Sequence, residues 1–92
     1  MITLGDMQRK LRNLSGWGIE NNSLAKEFAF NDFSSGLEFT IKVGEIAKEL
    51  EHSPLILIKN DGVRIELTTH EENGITDKDF MFAESIEVML KQ

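Results

Sequence analysis

Leu55-Ile56-Leu57-Ile58-Lys59-Asn60-Asp61-Gly62-Val63-Arg64-Ile65-Glu66-Leu67 decides the fold. Leu55 to Lys59 is apolar on both faces and predicts a buried strand. Val63, Ile65 and Leu67 alternate with Arg64, Glu66 and Thr68, as a half-exposed strand does. Asn60-Asp61-Gly62 between them is a hairpin signal, because Asp-Gly tolerates the positive φ of a type I′ turn. With Asp61-Gly62 as the turn residues, Asn60 pairs with Val63 and paired positions sum to 123.

Upstream, Phe33 to about Glu51 reads as a long helix, with Asp32 as N-cap and Pro54 closing it off. Phe33, Leu37, Ile41 and Ala47 form one apolar line, and Phe39, Val43, Ile46 and Leu50 a second. That is wider than the stripe of a surface helix, so the surplus is expected under a sheet or against another subunit. Ahead of it, Trp17–Glu20 and Ser23–Phe30 make a first hairpin around Asn21-Asn22. Leu24, Phe28 and Phe30 share one face of the second strand. Ile2 to Leu14 is a short amphipathic helix on Leu4, Met7, Leu11 and Leu14, stopped at Ser15-Gly16. Downstream, Thr76 and Asp79 form a capping-box variant that opens a last helix to about Leu90. The order is α-ββα-ββα. It predicts an α+β, two-layer domain: a four-stranded antiparallel sheet with helices packed on one face.

A chain of 92 residues fits a single domain over 1–92. With no cysteine, disulfides, thiolate zinc sites and a cysteine nucleophile are excluded. Ten Lys+Arg against sixteen Asp+Glu gives a net charge of −6. Scattered cations at that balance argue against nucleic acid, whose binding needs clustered positive charge. No apolar run reaches the ~20 residues of a membrane span, and residues 1–12 lack a secretory pattern. The expected compartment is the cytosol, with no membrane partner. No Gly-rich phosphate loop and no serine elbow is present. Trp17 reads as a core or interface aromatic, and Phe28, Phe30 and Phe33 read as core.

Both histidines flank the second hairpin. The 123 register sets Ser53 opposite His70 and His52 opposite Glu71. Opposed residues in an antiparallel pair lie ~5 Å apart at Cβ, so the imidazoles should meet within about 10 Å. Two such rings can share acid–base work, one giving a proton while the other takes one. The plainer alternative is two surface histidines at element ends. No histidine stands at helical spacing to another ligand, so no metal is expected. Asp79 either orients an imidazole or simply starts the last helix.

Gly16-Trp17, Leu24 to Phe33, His52-Ser53-Pro54, Thr68-Thr69-His70 and Gly74 to Phe80 together resemble pterin-4a-carbinolamine dehydratase, the family that includes the dimerisation cofactor of a hepatocyte transcription factor. The resemblance implies a sheet with helices on one face, assembled as homodimers or homotetramers. It implies removal of water from a 4a-hydroxy-tetrahydropterin to give the quinonoid dihydropterin, without metal or organic cofactor. His52 matches the first histidine of the family's His-His-Pro, and His70 that of its Thr-His. These two are the implied catalytic pair, and Ser53, Pro54, Thr69 and Asp79 are the implied pterin contacts. Ser53 stands where the family has its second histidine, and Asn60 where it has an aromatic. A hydroxyl carries no proton at neutral pH as an imidazole does. A slow dehydratase, one with a shifted substrate, and a non-catalytic pterin- or partner-binding module all remain open.

Overall fold

The computed structural model describes residues 2–92. Eight elements follow the expected order: α1 (Leu4–Leu11), β1 (Gly18–Glu20), β2 (Ser23–Ala29), α2 (Phe33–Leu50), β3 (Leu55–Lys59), β4 (Gly62–Leu67), a 3₁₀ turn (His70–Glu72) and α3 (Asp77–Leu90). The strands form one antiparallel sheet in the order β1-β2-β4-β3. Val63, Ile65 and Leu67 of β4 and Leu24 and Phe28 of β2 point inward, where Phe39 and Val43 of α2 and Phe80, Phe82, Ala83 and Ile86 of α3 cover them. The α+β two-layer reading therefore holds.

The helix ends follow their local chemistry. Thr3 and Asp6 form a capping box on α1, and Asp32 accepts from the Ser35 N–H at 2.8 Å to open α2. α2 ends at Leu50 because Glu51 turns left-handed at φ 51°, so Pro54 lies beyond the stop rather than causing it. α1 is shorter than its apolar pattern. Arg12 to Leu14 continue as tight turns to Gly16, whose φ of 85° ends the segment. Leu4 is 67% exposed, and Ile2 packs on the core beside Met7 and Leu11 instead.

Four expectations are corrected. The second hairpin turns on Asn60-Asp61, not Asp61-Gly62: Lys59 pairs with Gly62, and Leu55 with Glu66. Neither turn residue has positive φ; the pair that does is Asn21 (48°) and Asn22 (64°) in the first hairpin. Gly62 serves a close approach instead, since a Cβ there would meet the Phe28 carbonyl oxygen at 2.9 Å. β3 is not buried but lies at the sheet edge, with Leu55 and Leu57 half-exposed on the face no helix covers. Phe33 is exposed with Leu37 and Ile41, so most of one apolar line of α2 faces away from the core, while Ala47 packs on it and Phe28 and Phe30 pack against Phe39.

On the uncovered sheet face Arg64 bonds Glu66, Glu20 and Glu27, and those carboxylates hold its guanidinium above the usual arginine range. Trp17 is a core residue. Its ring meets Phe28 edge-on, and its indole N–H donates to Glu87 at 2.9 Å.

Candidate active site

The shifted hairpin moves the histidines without separating them. Continuing the observed register past Leu55 and Glu66 brings Ser53 opposite Thr68 and His52 opposite Thr69. The shift is by two, so no side chain changes face. His70 then leaves the strand direction in the 3₁₀ turn. Paired backbone bonds between Thr69 and Gly74, at 2.9 and 3.3 Å, pinch the intervening loop closed. The left-handed Asn73 at φ 56° completes that loop. Glu51, His52, Ser53, Thr68, His70, Glu71 and Lys78 line one pocket of about 250 Å³. His52 and Lys78 also border a smaller apolar hollow with Leu50 and Met81.

The two imidazoles are held very differently. His52 follows α2 directly, its N–H bonded to the Ala47 carbonyl at 3.1 Å. Its side chain is 9% exposed, and its Nε2 lies 2.6 Å from Asp79 Oδ1. Asp79 is fully buried in the first turn of α3. Its second oxygen accepts the Thr76 N–H and the Thr69 hydroxyl, each at 2.9 Å. Thr76 Oγ1 lies 2.7 Å from Thr69 Oγ1. Because Thr69 spends its proton on Asp79, Thr76 is the donor in that contact. With Oδ2 occupied by two donors, Oδ1 takes the third from His52 Nε2–H. In the neutral imidazole that bond leaves Nδ1 as the acceptor nitrogen. Asp79 thus fills both roles open to it: it completes the capping box and it orients a histidine.

His70 is exposed, and among the described residues its ring has no hydrogen-bond partner. Ser53 is exposed on the pocket wall where an imidazole would reach the same space. Thr69 and Asp79, expected as pterin contacts, are 1% and 0% exposed and wholly engaged with each other, Thr76 and His52. They support the site from behind. Pro54 is half-buried between the pocket and β3. Asn60 lies exposed in the hairpin turn, at the far end of β3 from Ser53. Sequence reasoning gave Lys78 and Thr68 no role at this site. Lys78 stands between Thr76 and Asp79 in a motif already noted, which was the available signal.

A buried carboxylate holds one imidazole, a second imidazole is exposed, and both rings line one pocket on a two-layer α+β scaffold. Residues 2–89 match the family described as Pterin 4 alpha carbinolamine dehydratase. A Sulfolobus acidocaldarius protein carrying the pterin-4-alpha-carbinolamine dehydratase name is 41% identical over 81 residues, 88% of this chain and 89% of its own length. The chain belongs to this pterin-4a-carbinolamine dehydratase family. A solved structure described as a transcriptional coactivator/pterin dehydratase from Brucella melitensis superposes with a TM-score of 0.89 at 30% identity, covering 95% of both chains. A pterin dehydratase-like protein described as a RuBisCO assembly factor in the alpha-carboxysome shares the fold at 19% identity, with a TM-score of 0.63 over 78% of this chain and 83% of its own.

Proposed function

We propose that this chain dehydrates a 4a-hydroxy-tetrahydropterin to the quinonoid dihydropterin, in the cytosol, with His52 and His70 as its acid–base pair. The observation that carries the reading is the placement of both rings on one pocket, with His52 fixed by Asp79. In the reaction the C4a–O bond breaks, the N5 proton leaves, and a C4a=N5 double bond forms as water departs. His52, with Nδ1 as its acceptor, takes the N5 proton. His70, unattached and able to turn toward the substrate, protonates the departing hydroxyl. Pairing a base and an acid in this way is worth about 10²–10⁴ for each group. No step calls for a metal or an organic cofactor. Ser53 supplies a hydrogen bond at the pocket wall but no proton relay, so turnover is slower than with an imidazole there.

The exposed line of Phe33, Leu37 and Ile41 on α2 and the open edge of β3 support a homodimer or homotetramer, since both are surfaces a lone chain leaves unpaired. A second reading, a non-catalytic pterin- or partner-binding oligomer, draws on Ser53 and Asn60 alone. The test is the dehydration rate of a 4a-hydroxy-tetrahydropterin with wild-type protein and with His70→Ala. At least a tenfold loss in a folded variant is expected. Binding of a dihydropterin with no turnover in the wild type favours the second reading.

A further inference from the structure

The loop that follows His70 holds the only Asn-Gly step in the chain. Of six asparagines, Asn73 alone precedes a glycine, and Asn73 is exposed. A glycine nitrogen is the least hindered backbone nucleophile for the carboxamide before it, because no Cβ stands beside it. Attack forms a bond from the Gly74 nitrogen to Asn73 Cγ. The Cγ–N bond of the carboxamide breaks, and its nitrogen leaves as ammonia with the proton shed by Gly74. Solvent water then opens the cyclic imide at either carbonyl, giving aspartate or isoaspartate.

The closed loop holds this reaction off. Asn73 is left-handed, at φ 56° and ψ 36°, a conformation that asparagine tolerates. At that ψ the Gly74 nitrogen stands nearly anti to the Asn73 Cβ, away from the carboxamide carbon, so ring closure requires the peptide to swing round. Two hydrogen bonds resist the swing. The Thr69 N–H donates to the Gly74 carbonyl at 2.9 Å, and the Gly74 N–H donates to the Thr69 carbonyl at 3.3 Å. The second also engages the proton that the nucleophile must lose. Packing adds no resistance at Gly74, where a Cβ would meet no atom within 4 Å.

We propose that Asn73 is a site of spontaneous deamidation, gated by opening of the Thr69–Gly74 pair, and that its isoaspartyl product unties the His70 loop. Isoaspartate places an extra main-chain carbon between the two residues, so the paired bonds cannot both re-form with good geometry. It also adds a negative charge beside Glu71 and Glu72. The pair anchors Thr69, whose hydroxyl donates to Asp79 behind His52. The modification is independent of what the histidine pocket binds.

The experiment incubates the full chain at mildly alkaline pH and follows every asparagine by peptide mapping, with aspartate and isoaspartate resolved by chromatography. Asn73 should convert ahead of all the others. Unfolding the chain in urea should speed that conversion by about tenfold or more, since two backbone hydrogen bonds guard the loop. Gly74→Ala, which fits the open space and meets no positive φ, should slow it several-fold in the folded chain. In the separated isoaspartyl form, the Thr69 amide should exchange with solvent about tenfold faster than in the unmodified chain. Conversion at Asn73 no faster than at the other asparagines overturns the site, as does a Gly74→Ala chain that converts at the wild-type rate. Equal rates in folded and unfolded chains overturn the gate. An unchanged Thr69 exchange rate in the isoaspartyl form overturns the untying of the loop.

Discussion

Replacing Asp79 with asparagine isolates what the buried carboxylate does. Asp79 is fully buried and accepts three hydrogen bonds, from Thr69, the Thr76 N–H and His52 Nε2. An asparagine oxygen can keep the Thr69 and Thr76 donors. Its amide nitrogen then faces His52 Nε2 across the 2.6 Å contact. Two N–H groups cannot meet there, so the ring must move its proton to Nδ1, the nitrogen needed as base. Loss of one acid–base group costs about 10²–10⁴ in rate. The lost charge-assisted bond costs about 1.5–3 kcal/mol of stability. A replacement bond from the asparagine amide to His52 Nε2 offsets part of that cost, so the Tm should fall by less than the full amount. The assay is kcat/KM for 4a-hydroxy-tetrahydropterin dehydration beside a thermal melt. A fall of at least a hundredfold, with dihydropterin affinity held within a few fold, is expected. A folded Asp79→Asn variant within twofold of wild-type turnover would refute the orienting role.

Three further outcomes follow from the same geometry. Ser53→His returns an imidazole to the pocket wall and should raise kcat by tenfold or more; no change in kcat would show that this wall does not reach the substrate. Phe39→Ala removes a buried ring that packs against Phe28 at 4.7 Å and Phe30 at 5.1 Å, and should cost about 3–5 kcal/mol in a denaturant titration. Asp32 is held below the usual carboxylate range by the Ser35 N–H. Its capping contribution is therefore present above its unfolded pKa and lost as pH falls through the lower folded value. Asp32→Ala should lower the Tm at pH 7, and the gap from wild type should close below about pH 4.

The parts of this protein written in short-range pattern were legible without coordinates. Two-residue alternation in β4, the Asp32 cap and the Thr76–Asp79 box each depend on neighbours within a few positions, and each stands as read. The failures depend on what lies across the molecule. Apolarity on both faces of Leu55–Lys59 does not distinguish a central strand from an edge whose outer face waits for a partner. Asn60-Asp61 and Asp61-Gly62 are both acceptable turns by local sequence, and only the pairing of Lys59 with Gly62 tells them apart. His52 and His70 still line one pocket after the register shift, which by two positions leaves the strand residues on their faces. The link from Asp79 back to His52 joins residues on different elements, so no spacing rule reveals it. Its half in sequence, the capping box, was visible; its other half needed the sheet to bring α2 and α3 together.

The most direct test of the central claim is the rate at which a 4a-hydroxy-tetrahydropterin loses water in the presence of the purified chain. Wild-type protein is expected to exceed the buffer rate in proportion to its concentration, with His52→Ala and His70→Ala each at least tenfold slower. A folded, dihydropterin-binding wild type that leaves the buffer rate unchanged would contradict the claim that these two imidazoles form a working pair.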